Sequence, residues 1–195
     1  MTIFVGIDPG ADGGVALICD PSYVPPYPFI EVHSAVVGAK ARRDIFLQYN
    51  AADLRVCIEK SQAFPGQGGV GNHSCGMDYG QWLAILEVYS IPYQIVPVQA
   101  WQKVMLIGKP SPPSRAKVPA AGTIPPDERK ELKKVHDRAV RDHKKNIKGY
   151  AATVAQRLFP GVNLKRTEKC AGPHDGAVDA LLLAEYCRRA MGGKP

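Results

Sequence analysis

The chain opens MTIFVGIDPGADGGVALIC (residues 1–19), and the reading of this stretch decides the fold. Ile3-Phe4-Val5-Gly6-Ile7 is an unbroken apolar run, the pattern of a strand covered on both faces. It ends on Asp8, which Pro9-Gly10 pins in place. Ala11-Asp12-Gly13-Gly14 reads as a tight turn and Val15-Ala16-Leu17-Ile18 as a returning strand, so the chain begins with a β-hairpin. A charged carboxylate closing a buried strand calls for a partner, because ionised Asp is seldom buried unless it is paired or bound to a metal.

Outward from the hairpin, Pro21 to Pro28 holds four prolines and reads as a loop, Glu31 to Val37 as an edge-like strand, and 42–52 as a short helix. Leu54-Arg55-Val56-Cys57-Ile58-Glu59 repeats the opening theme: a buried strand ending on an acid. Residues 64–76 (FPGQGGVGNHSCG) contain five glycines and predict a mobile loop. A helix is expected from Tyr79 to about Tyr89, a strand over Tyr93 to Val98 and a helix over Gln99 to Ile107. Six prolines between 108 and 126 mark an extended excursion rather than a linker between domains. Residues 127–148 form a charged helical segment, a more amphipathic helix runs on through Phe159, and the last helix starts near Pro173, where proline suits a first turn. The order predicts one α/β domain over 1–195, with a mixed sheet that starts as an antiparallel hairpin.

The 195 residues are 45% apolar and 22% charged, which is ordinary globular composition. Five widely spaced cysteines without a CxxC pair argue against a disulfide framework and a zinc site. No basic leader precedes the first strand and no apolar stretch reaches membrane-spanning length, so a cytosolic location, in a bacterial or phage-infected cell, is expected. Charge is divided unevenly. Residues 1–100 hold 5 Lys+Arg and 9 Asp+Glu, net −4, whereas 101–195 hold 20 and 9, net +11. A basic half beside an acidic one suits a surface for a polyanion next to a cation-binding site, although a solvated Lys-rich helix face would give the same count.

Acids meet apolar structure at Asp8, at Glu59 and at the pair Asp175/Asp179. The last two are four residues apart and share one helix face, where like charges repel. No Lys or Arg lies in the first two turns of that helix. A divalent cation satisfies such a set, since hard cations take carboxylate oxygens. Four carboxylates can hold two Mg²⁺ or Mn²⁺, the arrangement that activates a water and stabilises the leaving oxygen in phosphodiester cleavage. Taken singly, Asp8 could be a turn former, Glu59 a strand-end surface residue, and Asp175 a charge favoured by the helix dipole.

G-I-D-P-G on the first strand, I-E at the end of the Leu54–Glu59 strand and a terminal D-x-x-x-D-A-L helix resemble the RNase H-like nuclease superfamily, and within it the RuvC-type Holliday junction resolvases, especially phage-encoded members. The resemblance implies a mixed five-stranded sheet flanked by helices and a Mg²⁺- or Mn²⁺-dependent endonuclease, with no organic cofactor, that resolves four-way DNA junctions by symmetric paired nicks. It assigns Asp8, Glu59 and Asp179 as metal ligands. Where the bacterial pattern has an acid or histidine three residues before the final Asp, this chain has Gly176, and Asp175 is the substitute. His174 is a candidate ligand or general base, since imidazole titrates near neutrality. The resemblance further implies a homodimer with two active sites, for which the helix carrying Gln81 to Leu86 is the candidate interface. Phe64 is the candidate aromatic for stacking on bases. The Lys and Arg residues of 129–148 are candidates for phosphate contact, with Lys144, Lys145 and Lys148 nearest the site. Two other readings keep the fold: a nuclease for flaps, branched replication intermediates or RNA–DNA hybrids, and an inactive junction-binding module. An actin-like ATPase lacks a second phosphate loop here, and an HD-type phosphohydrolase lacks its upstream histidines.

Overall fold

The structure, a computed structural model, describes residues 1–19, 30–62, 68–112 and 123–192. The loop expected at 21–28, Phe64 with its neighbours at 64–67, and residues 113–122 of the proline-rich excursion lie outside the described residues.

Five strands form one sheet: β1 (Ile3–Asp8), β2 (Gly14–Cys19), β3 (Ile30–Ser34), β4 (Leu54–Glu59) and β5 (Tyr93–Val96), in the spatial order β3-β2-β1-β4-β5. β1–β2 and β2–β3 are antiparallel, and β1–β4 and β4–β5 are parallel, so the hairpin start and the mixed sheet are both present. The strands β1, β2 and β4 are apolar on both faces because both faces are covered. Ile3, Val5, Ile7, Val56 and Ile58 pack with Phe46, Trp82 and Leu86, on the side of α1 (Ala39–Phe46) and α2 (Gly68–Val88). Phe4, Ala16 and Cys57 pack on the opposite side with α3 (Val98–Met105), α4 (Pro126–Leu158) and α5 (Asp175–Met191).

Three expectations need correction. The predicted loop over 64–76 is helix from Gly68 onward, as the first half of α2. Glycine disfavours a helix interior by roughly 1 kcal/mol each, but tertiary anchors outweigh that cost. Buried Arg42 donates to the Asp78 carboxylate at 2.6 Å, to the Asp78 carbonyl at 3.3 Å and to Gln81 Oε1 at 2.8 Å. Its guanidinium also lies 5.1 Å from the Trp82 ring centre. Once α2 is nucleated there, each further residue adds one hydrogen bond without a new nucleation cost. Second, the helix expected at 42–52 ends at Phe46; Asn50 then caps a short 3-10 turn, Ala51–Asp53, accepting from the Ala52 N–H at 3.0 Å. Third, the two helices expected between 127 and Phe159 are one 33-residue helix.

Of the proposed interface segment, Trp82, Ile85 and Leu86 face the core. Ala84, Val88 and Tyr89 remain at the surface, where they line a shallow apolar groove with Ala39 and Arg43. Among the described residues no helix is long and apolar enough to cross a membrane.

Candidate active site

β1 and β4 run parallel with Ile7 beside Ile58, and the next residue on each strand is the acid. Side chains alternate along a strand, so Asp8 falls on the side of Phe4 and Glu59 on the side of Cys57. That is the face covered by α5.

Glycine lets α5 come unusually near this face. A Cβ at Gly6 would stand 2.2 Å from the Ala180 carbonyl oxygen, and one at Gly14 would stand 2.6 Å from the carbonyl oxygen of Gly176. The first turn of α5 therefore lies directly on the β1–β2 hairpin, with Asp175 as its first residue and Asp179 one turn later. Asp8, Asp175, Asp179, His174, Lys148 and Arg166 line a common open cleft of ≈ 630 Å³. Glu59 opens onto an adjoining cleft, and Pro9 and Cys75 border both.

The electrostatics record the crowding. Burial pushes the Asp8 carboxyl well above the usual carboxylate range; the charges of Glu59 and Asp179, and more weakly Asp175, push the same way, against the Lys148 ammonium. Burial, then Glu59 and Asp175, push Asp179 up to about 7. Burial also raises Glu59, opposed by the indole N–H of Trp101, which donates to Glu59 Oε2 at 2.8 Å.

The sequence offered no cation in the first two turns of α5 for Asp175, but α4 supplies one from outside: Lys148 Nζ donates to Asp175 Oδ2. The carboxylate's bond and the neighbouring negative charges hold the Lys148 ammonium above its ordinary range, in spite of some desolvation. Lys144 and Lys145 sit one turn earlier on α4, exposed. His174 precedes α5 and donates its backbone N–H to the Leu164 carbonyl at 2.7 Å, while among the described residues its Nδ1 has no hydrogen-bond partner.

Sequence reading missed Trp101, Arg166 and Asp12. The indole N–H of a buried Trp needs an acceptor, so Trp101, fully buried on α3, carried a recognisable signal. Arg166, whose Nη1 lies 3.4 Å from Asp12 Oδ1 at the cleft edge, carried none, because tertiary packing alone brings its loop to the hairpin.

The donor set fits a hard divalent cation: four carboxylates, three of them shifted toward protonation, share a single bonded ammonium, Lys148. A cation of higher charge would relieve that repulsion. Among the described residues no three His, Cys, Asp or Glu side chains are drawn together as tightly as ion coordination needs, so the carboxylates are grouped but open.

Fold and site together define a mixed α/β sheet with acidic groups converging beyond the ends of its parallel strands. Among solved structures, the chain is similar to T. thermophilus RuvC in complex with a Holliday junction substrate, at 11% identity over 98% of this chain and 97% of that one, with a TM-score of 0.49. It is likewise similar to a second Thermus thermophilus RuvC structure, at 12% identity, the same coverage and a TM-score of 0.48. No family model matches the chain, and no curated protein does.

Proposed function

We propose that the chain is a Mg²⁺- or Mn²⁺-dependent endonuclease that resolves four-way DNA junctions by paired nicks. The observation that supports this reading is the grouping of Asp8, Glu59, Asp175 and Asp179 around one end of the sheet, next to the chain's most basic helix. In this reading the four carboxylates hold two ions, with His174 as an additional ligand or general base. When bound, such ions supply a Lewis acid and an activated water for in-line hydrolysis that expels the 3′ oxygen and leaves a 5′-phosphate.

The protein's own part is to place these groups. Asp8 and Glu59 are fixed by paired strands, and Trp101 orients the Glu59 carboxylate. Lys148 and Arg166 stand at the cleft rim, where cations meet a phosphate. Lys144 and Lys145 extend that contact along α4, and Phe64 stacks on bases at the branch point. Two such sites on a homodimer, joined through the exposed residues of α2, would cut two opposed strands.

The test is cleavage of a synthetic four-way junction compared with flap, duplex and RNA–DNA hybrid substrates. Symmetric nicks confined to the junction are expected, with at least a 10³-fold rate loss in Asp8→Asn. A variant Asp8→Asn that cuts at the wild-type rate in Mg²⁺ would sink the assignment. Tight junction binding without cutting in either metal would identify a binding module instead.

A further inference from the structure

Only the C-terminal third of α4 enters the core: Ala151, Val154 and Ala155 are buried, with Ile147 and Tyr150 packed against the same cluster. The helix is 33 residues long, about 50 Å at 1.5 Å per residue, so most of it extends away from the core. From Pro126 to Val135 every residue is exposed.

The cations on this outboard stretch are ordered. Lys130, Arg141 and Lys148 are separated by about three and then about two whole turns, so they share one line along the helix. Lys133 and Lys144 flank that line on one side and Lys134 and Lys145 on the other. Asp137 is the one acid on the stripe between Lys130 and Lys148; Glu128, Glu131 and Asp142 lie off it, and Asp127 lies beyond its outer end, in line with Lys145. Lys134 pairs with Glu131 at 2.6 Å and Lys148 with Asp175; among the described residues Lys130, Lys133, Arg141, Lys144 and Lys145 have no ion pair.

The direction of the stripe follows from the same periodicity. Ala155 lies about two turns beyond Lys148 on nearly the same line, and it is buried in the core layer shared with α5. The side of α4 that meets the core at Ala155 therefore carries Lys148 over the carboxylate cleft, and then Arg141 and Lys130 beyond it. From Lys148 to Lys130 the stripe measures about 27 Å, the length of roughly 8 base pairs at 3.4 Å each.

We propose that this stripe of α4, from Lys148 out to Lys130, is a rail for the sugar–phosphate backbone of one duplex DNA arm as it leaves the cleft. The inference rests on the nuclease reading above and adds to it a direction and a reach: arms are gripped up to about 8 base pairs from the point of cutting. Such contacts position the duplex without reading its sequence.

The experiment measures binding of the full chain by fluorescence anisotropy in EDTA. Its probes are four-way junctions with 6-base-pair arms closed by hairpin loops and with 16-base-pair arms. The wild type is expected to favour the long-arm junction by at least 10-fold. In the triple variant Lys130→Gln, Lys133→Gln, Lys134→Gln that ratio should fall to within twofold, and the slope of log K against log[salt] on long arms should drop by about 2–3, near 0.9 per lost phosphate contact. The triple Lys→Arg variant, which keeps the charges, should retain the ratio. A wild-type ratio near one, an unchanged ratio in the Gln variant, or loss of the ratio in the Arg variant would each overturn the rail. Cleavage of the same junctions in Mg²⁺ separates the two readings. Cutting without arm-length dependence removes the rail and leaves the nuclease; an arm-length ratio lost in the Gln variant, with no cutting of any substrate, does the reverse.

Discussion

Gly176 and Asp12 meet backbone to backbone: a Cβ on Gly176 would stand 2.2 Å from the Asp12 carbonyl oxygen and 2.6 Å from the Gly13 carbonyl carbon. This contact explains why an acid cannot occupy position 176 here and why the nearest one is Asp175. Gly176→Ala should cost about 3 kcal/mol, the upper end of the usual range for overpacking, because the neighbouring atoms are backbone. Gly176→Asp should fail to rescue Asp175→Ala in junction cleavage. Urea unfolding and cleavage assays check both, and a stable, active Gly176→Asp, Asp175→Ala double variant would refute the fourth-ligand assignment.

The raised carboxylates make the metal-free protein sensitive to pH. For an acid whose folded pKa exceeds its unfolded value, the charge-linked contribution to stability is fully present below the unfolded pKa, near 4, and is lost as pH rises through the folded one. Asp179, at about 7, together with raised Asp8 and Glu59, places the loss between about pH 4 and 8. The Tm in EDTA should fall across this range. Asp179→Asn should flatten the curve and gain about 2 kcal/mol at pH 8, and Mg²⁺ should restore the wild type there. An Asp179→Asn curve parallel to the wild type would contradict the picture.

Trp101→Phe deletes the donor that lowers the Glu59 pKa while keeping most of the buried ring. Glu59 should then titrate at higher pH, moving the acid limb of the kcat/KM profile upward, with a rate loss of about 10-fold at neutral pH from a misplaced ligand. A profile that keeps its acid limb would show that the indole only fills space.

Lys148 carries positive charge into the carboxylate cleft, and in the proposed reading it also meets the DNA. Lys148→Gln at pH 8 should tighten Mg²⁺ binding several-fold by calorimetry, because a competing cation is gone. It should also weaken junction binding, with the salt slope reduced by about 0.9. If both affinities fall together, Lys148 is holding the site's shape rather than contributing charge.

Arg42 links α1 to the middle of α2. Arg42→Met removes the partner of Asp78 and should cost roughly 3 kcal/mol, with faster hydrogen exchange concentrated between Gly68 and Gly80. Uniform acceleration over the whole chain would mean that α2 is not separately anchored there.

What was legible in the sequence follows from how local each signal was. Asp8 and Glu59 stood out because each ended an apolar run, and their meeting needed only that the two strands be neighbours. Asp175 and Asp179 declared themselves by helical spacing. The first half of α2 was hidden because five local glycines argue for a loop, while the deciding contact comes from Arg42, about 36 residues away in sequence. The Lys148–Asp175 pair and the Trp101–Glu59 bond likewise span 27 and 42 residues, beyond the reach of any periodicity. Gly6 read as part of an apolar strand, Gly14 as a turn residue and Gly176 as a departure from the ligand pattern, yet their use is close approach between strand and helix backbones.

The seating of α5 on Gly6 has a consequence for how the gene would respond to random change. At Gly6 the sheet meets the backbone of Ala180 and Ala184, both fully buried, with no room for a methyl group on the glycine, and Asp8 and Asp179 hang from the two pieces this joint fastens. In a pooled substitution library scored for cleavage, these three small, chemically inert positions should be as intolerant as the acids themselves, whereas solvent-facing residues of α1 should accept most replacements. The most severe apparent active-site mutants would then include residues that never approach a substrate.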